Sequence, residues 1–89
     1  MAIDTAKAKQ LVQSVFTFDK VGDLMGAIRK NPSSSELQTK LVKSLTDHAT
    51  PLSNDKSPES IAMITKAAEE RAKQYVDGVK ASQSGCGGV

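Results

Sequence analysis

The amino-acid sequence predicts an all-α fold, a small bundle of three to four amphipathic helices with a flexible Gly/Ser/Cys tail at its C-terminus. Three observations support this fold class. Apolar residues recur at three- and four-residue steps in successive segments, and no segment shows the alternation of apolar and polar residues that marks a strand. Capping and turn residues separate the segments. The chain of 89 residues divides into one helical domain, residues 1–81, and the tail, residues 82–89.

The first helix is predicted to begin near Asp4, whose carboxylate can accept hydrogen bonds from the amides of the first turn. The pattern weakens at Thr17-Phe18-Asp19, where the sequence leaves open a short kink or a new helix capped by Asp19. The apolar residues that share one face of this first helix are Ala8, Leu11, Val12, Val15 and Phe16.

The second helix has the clearest period, because its apolar residues fall at i, i+3, i+4 and i+7. Gly22 and Gly26 interrupt it, and each costs up to about 1 kcal/mol relative to alanine in a helix interior. Asn31-Pro32 is predicted to end the helix, since a residue before proline avoids the α region. The periodic residues are Val21, Leu24, Met25 and Ile28.

The third and fourth helices are predicted from their caps. Ser33 and Glu36 have the spacing of a capping box, and Pro51 ends the helix that follows. Ser57-Pro58-Glu59 supplies an N-cap serine, a first-turn proline and an acid, so the fourth helix begins there and runs to about Ala81. The apolar stripes are Leu37, Leu41, Val42, Leu45 and Ala49 in the third helix, and Ile61, Ile64, Ala68, Ala72, Tyr75, Val76 and Val79 in the fourth.

Composition argues against several classes of protein. Twelve basic and ten acidic residues give a net charge of +2, and the lysines are dispersed, so a nucleic-acid-binding surface is not expected. One cysteine cannot form an internal disulfide. No segment has the apolar length of a secretory signal or a membrane span. We therefore expect a cytoplasmic protein, with leaderless secretion as the open alternative.

No catalytic, cofactor-binding or metal-ligating set is predicted. His48 is the one histidine and Cys86 the one cysteine, and neither has a second ligand at metal-binding spacing. Cys86 lies in a Gly-rich tail, which is poorly suited to hold a nucleophile beside a base. The sequence thus favours a non-enzymatic protein with no cofactor and no small-molecule substrate. Cys86 remains a candidate for a reactive or modified residue.

Strongly apolar residues are scarce: Leu, Ile, Val and Phe together make up 19 of the 89 residues. Such a small core gains stability when apolar surface is buried between chains. The sequence therefore favours an interaction or assembly protein that binds a protein partner or copies of itself. The residues predicted to form the partner surface are Phe16, Phe18, Val21, Leu24, Met25 and Ile28.

Two other functions stay open. The chain could be a precursor peptide, with a helical body recognised by modifying enzymes and a tail, Ser84 to Val89, that is modified or cleaved. It could also bind nucleic acid weakly through dispersed lysines. The lysines considered for that role are Lys7, Lys9, Lys40 and Lys43.

The turn Lys30-Asn31-Pro32-Ser33 and the leucines after it resemble the helical hairpin of type III secretion needle subunits. The resemblance covers about 20 residues around a turn type that is common between helices. It implies a small helical subunit that becomes stable when stacked in a filament. The chain departs from that pattern in its long helix after Pro58 and in its Gly/Cys tail.

Deleting Ser82–Val89 should change the free energy of unfolding by no more than about 0.5 kcal/mol, because the tail carries no residue of the predicted stripes. In the intact chain, Cys86 should react with a thiol reagent at the rate of an unprotected cysteine, since exposure and thiolate character control that rate. Urea unfolding and thiol labelling measure the two effects. Protection of Cys86, or unfolding on truncation, would contradict the division into body and tail.

Overall fold

The structure is a computed structural model that describes the backbone of residues 3–87 and the side chains of residues 3–82. The described backbone contains helices and turns and no strand, so the predicted all-α class is confirmed. The chain forms α1 (Thr5–Val15), α2 (Phe18–Lys30), α3 (Ser35–Ala49), a short 3₁₀ turn (Thr50–Leu52) and α4 (Pro58–Gly87).

α1 begins as predicted and ends before a break in the chain. The Asp4 carboxylate accepts a hydrogen bond of 2.7 Å from the Lys7 amide, and the helix ends at Val15. A new helix then begins at Phe18, so the alternative in which Asp19 caps it is wrong: Thr17 has the extended backbone of the capping position, and Asp19 lies in the first turn. Val21 leaves helical geometry at φ −130° and ψ 17°, which kinks α2.

The cap of α3 lies one residue later than the predicted Ser33. The Ser34 amide donates to the Asn31 carbonyl oxygen at 3.2 Å, which closes a four-residue turn with Pro32 and Ser33 at its centre. Ser34 has extended backbone and is the capping residue, and its hydroxyl accepts from the Leu37 amide at 3.3 Å. Ser33, which the capping-box spacing predicted as the cap, therefore lies inside the turn.

α4 begins as predicted and ends later than predicted. The Ser57 hydroxyl accepts from the Ser60 amide at 3.4 Å, and Pro58 is the first helical residue. The helix continues past the predicted end near Ala81 to Gly87, because low propensity at single residues is a weak penalty once a long helix has formed. The side chain of Cys86 lies outside the described residues. The flexibility predicted for residues 82–89 stays a prediction.

A carboxylate in the loop before α4 joins the start of the chain to this helix. Asp55 Oδ1 accepts from the Ser57 amide at 3.0 Å, and its Oδ2 accepts from the Ser57 and Ser60 hydroxyls at 3.1 and 2.9 Å. The Ile3 amide in turn donates to the Ser60 oxygen at 3.1 Å. The Ser57 amide, and next the Ser60 hydroxyl, hold the pKa of Asp55 below its usual range.

α4 is the element against which α1 and α3 pack. α1 runs parallel to it, since Lys9 lies 3.9 Å from Glu70 and Phe16 contacts Tyr75 further along. α3 runs antiparallel to α2, to which a short turn joins it.

Five of the fourteen buried apolar residues are alanines and none is aromatic. The buried face of α4 consists of Ile64, Ala67, Ala68, Ala72 and Val76.

Asp55→Asn should lower the stability of the fold at neutral pH, because an amide cannot accept all the bonds that the carboxylate accepts. A carboxylate with a lowered folded-state pKa stabilises the fold above its unfolded-state pKa of about 3.9, and this contribution disappears as the pH falls through the folded-state value. In urea unfolding, the gap between the parent chain and the variant should therefore be large at neutral pH and small in strong acid. Asp23→Asn, on exposed α2 surface, controls for the loss of one charge. A gap independent of pH would contradict this role.

Candidate functional site

The structure divides the predicted partner surface between core and solvent. Val21 and Ile28 are 2% and 1% exposed, so the prediction that they face a partner is wrong for the folded chain. They were assigned there because the period identifies an apolar face but does not say what covers it. Leu24 and Met25 are half-buried against the core. Phe18 is 74% exposed.

Phe16 lies in a cluster with Arg71 and Tyr75 of α4. Its ring centroid is 5.5 Å from that of Tyr75, with an edge-on angle of 61° between the rings. The guanidinium carbon of Arg71 lies 4.5 Å from the centroid of the Phe16 ring, within the range of a cation–π contact. The Tyr75 hydroxyl donates to the Met25 carbonyl oxygen at 3.1 Å. This cluster therefore links the end of α1, the middle of α2 and the middle of α4.

A cavity of about 390 Å³ lies beside this cluster. We call it the arginine groove, because both arginines of the sequence line it, Arg29 from α2 and Arg71 from α4. Arg71 and Tyr75 belong to both the cluster and the groove lining. The other lining residues described, all from α4, are Gln74, Gly78, Val79 and Ser82.

Phe18 lies before the kink of α2, with its side chain over Gly22. A Cβ atom added at Gly22 would lie 3.2 Å from Cδ1 of Phe18, so the ring rests on the helix backbone itself. Most of the ring surface is exposed to solvent. Phe18 lies in the first turn of α2, before Val21, which is the first residue of this helix to enter the core. Leu52 in the 3₁₀ turn is the other large apolar side chain that is mostly exposed among those described, at 52%.

Sequence reasoning did not identify Arg29, Arg71 or Tyr75 as site residues. The sequence pattern assigned Tyr75 to the core stripe of its helix, and it assigned no role to the two arginines. No local signal joins the three residues, because Arg29 is far from Arg71 and Tyr75 in the sequence and only the packing of α2 beside α4 brings them together. The one available signal was the rarity of arginine, since the chain has two arginines and ten lysines.

The other candidate residues gain no supporting geometry. Lys9 lies 3.9 Å from Glu70, and Lys40 lies 3.4 Å from Glu36, so two of the four lysines considered for nucleic acid lie beside carboxylates. His48 is exposed in the last turn of α3. The described residues contain no group of three or more His, Cys, Asp or Glu side chains placed to hold a metal ion.

The carboxylate and hydroxyls around Asp55 have a capping geometry rather than a catalytic one. The Ser60 side chain is fully buried, and its oxygen both donates to Asp55 and accepts from Ile3. A nucleophilic serine instead needs an accessible oxygen next to a base. The cluster therefore organises the start of α4.

In comparisons with known proteins, no family model, no curated protein and no solved structure matches the chain. Within the described residues, none of the helices combines the length and apolar character that crossing a membrane requires.

Tyr75→Phe should lower the free energy of unfolding by about 1 kcal/mol, because it removes the hydrogen bond to Met25 and keeps the ring contact with Phe16. Urea unfolding followed by circular dichroism measures this change. Tyr75→Leu should cost more, since it also removes the ring contact. A Tyr75→Phe variant as stable as the parent chain would show that the hydroxyl does not fasten α2 to α4.

Proposed function

We propose that this chain is a non-enzymatic helical interaction protein that binds a protein partner or a second copy of itself through the exposed surface of α2 around Phe18. The observation that carries the proposal is the exposure of Phe18, at 74%, in a chain with two phenylalanines and no tryptophan. Aromatic side chains are enriched at the centres of protein interfaces, where they lose water on binding.

The surroundings of Phe18 also support a contact surface. α2 buries Val21 and Ile28, while Leu24 and Met25 keep part of their apolar surface in solvent. A partner seated on Phe18 would extend over part of this apolar surface, at a gain of about 25 cal/mol for each Å² removed from water. The expectation of a non-enzymatic protein rests on the sequence and on the capping role of the Asp55 cluster. The cytoplasmic location stays a prediction.

Phe18→Ser should abolish association and leave the fold intact. Light scattering of the full chain should give a mass above that of the monomer, and the melting temperature should rise with protein concentration, because mass action favours the associated folded form. In the variant, both effects should disappear, while the stability at low concentration should change by no more than about 0.5 kcal/mol.

Leu52→Ser is the matched control, since it removes the other mostly exposed apolar side chain described, and it should keep association. If the parent chain has a monomer mass and a melting temperature independent of concentration, the homomeric form of the proposal is wrong. A photoreactive phenylalanine analogue at position 18 then tests the heteromeric form. Cross-linking to one protein from position 18, and none from position 52, supports it; equal cross-linking from both positions contradicts it.

A further inference from the structure

We propose that the break between α1 and α2 is a hinge, and that α1 exchanges between two copies of this chain when the hinge straightens. In the exchanged dimer, α1 and α2 form one continuous helix, and α1 of each copy packs on α3 and α4 of the other. The inference rests on the homomeric form of the proposed function and gives the dimer its structure. The surface that receives α1 already exists, because α1 of the same chain covers it in the folded monomer.

The hinge consists of Phe16 and Thr17. Phe16, at φ −85° and ψ 74°, is the centre of an inverse γ-turn in which the Thr17 amide donates to the Val15 carbonyl oxygen at 3.0 Å. Thr17 is extended, at φ −133° and ψ 160°. Neither residue precedes a proline, so both can adopt the α region. Rotating them into that region, together with the kinked Val21, makes α1 and α2 one helix.

The sequence permits this straightening at one connection between helices. The three prolines of the chain are Pro32, Pro51 and Pro58. They lie in the turn between α2 and α3, in the connection between α3 and α4, and at the first residue of α4. A proline breaks a helix that would pass through it, because it lacks an amide hydrogen and clashes with the preceding turn. The connection between α1 and α2 contains neither proline nor glycine, so a helix can pass through it.

α2 begins without the side-chain cap that the other α-helices have. Asp4, Ser34 and Ser57 each accept a hydrogen bond from an amide in the first turn of α1, α3 and α4, respectively. The side chain of Thr17 makes no such bond. In a continuous helix, the amides in the first turn of α2 would donate to carbonyl oxygens at the end of α1. Straightening therefore gives these amides partners that the cap does not supply.

The buried faces of α1 and α2 point in different directions along a continuous helix. At about 100° for each residue, the two sets of buried side chains lie about 140° apart around the helix axis. One continuous helix cannot turn both faces toward α3 and α4 of the same chain, so the monomer needs the break. Such a helix can turn one face toward each of two copies. The buried side chains are Ala8, Leu11, Val12 and Val15 in α1, and Val21 and Ile28 in α2.

Phe18 joins the apolar face of α1 when the helix is continuous. It follows Val15 by three residues and Leu11 by seven, so the three side chains lie along one side of the helix. The same spacing continues at Gly22 and Met25. In the monomer the break interrupts this line, and Phe18 is 74% exposed. In the dimer, the ring extends the contact of α1 with the other copy.

The experiment mixes two chains that each carry one thiol. Both contain Cys86→Ser; one also contains Lys9→Cys and the other Glu70→Cys, at a pair whose charged groups lie 3.9 Å apart between α1 and α4. The chains are unfolded together in urea, refolded at high concentration and treated with a short bismaleimide. Cross-linking between chains at positions 9 and 70, identified by peptide mapping, is expected. Lys43→Cys, on exposed α3 surface, replaces Lys9→Cys in the control mixture.

Thr17→Ala and Thr17→Gly test the hinge and leave Phe18 in place. Alanine favours the continuous helix and glycine disfavours it. The association constant from light scattering should be at least about twentyfold higher for Thr17→Ala, since the difference in helix propensity counts once in each of the two hinges. Asn31→Ala and Asn31→Gly are the matched controls and should have equal association constants, because Asn31 precedes Pro32 and stays non-helical in both forms.

The outcomes separate this inference from the proposed contact surface. If Phe18→Ser abolishes a dimer that shows no cross-linking between positions 9 and 70 above the control, the copies bind side by side: the proposed function stands and this inference fails. If cross-linking occurs and the dimer survives Phe18→Ser, the exchange is supported and the role of Phe18 is wrong. A monomer at every concentration, or equal association constants for Thr17→Ala and Thr17→Gly, overturns the exchange.

Discussion

The close packing of α1 and α3 against the small side chains of α4 is the contact on which the other features depend. Ala67, Ala68 and Ala72 lie on the buried face of α4 with Ile64 and Val76 at either end. Small side chains let helix backbones approach closely, so many weak dispersion contacts form over a short distance. This packing sets the relative positions of Phe16 and Tyr75, and thereby those of the cluster and the groove.

α2 is held differently from the other helices. It buries two side chains, Val21 and Ile28, and contacts α4 through the Tyr75 hydroxyl bond to Met25. Its capping residue Thr17 makes no side-chain hydrogen bond, and Val21 breaks the helical geometry. The exposed Phe18 and one wall of the groove both belong to this helix. The features on which the proposals rest therefore lie on the helix that buries the fewest apolar side chains among the four described.

The periodicity of the sequence was sufficient to predict the four helices and most buried positions, because the burial of one face fixes where apolar residues recur. The cap of α3 was misplaced by one residue, since capping-box spacing alone does not show that a turn centred on Pro32-Ser33 comes first. Counting Leu, Ile, Val and Phe made the core look incomplete, because alanine was left out and alanines form a third of it. That Arg29 and Arg71 line one cavity could not be predicted, since it depends on how two helices that are distant in the sequence pack together.

The weak anchoring of α2 has a consequence for hydrogen exchange. Because α2 buries two side chains, we expect its local opening to require less free energy than global unfolding, and we expect its amides to exchange through that opening. We expect the amides at the centre of α4 to exchange only when the whole bundle opens. A molecule that binds the closed form of α2 through Phe18 stabilises that form. Binding at the proposed surface would then be linked to the opening of one helix, and the slowing of exchange in α2 would measure the free energy of that linkage.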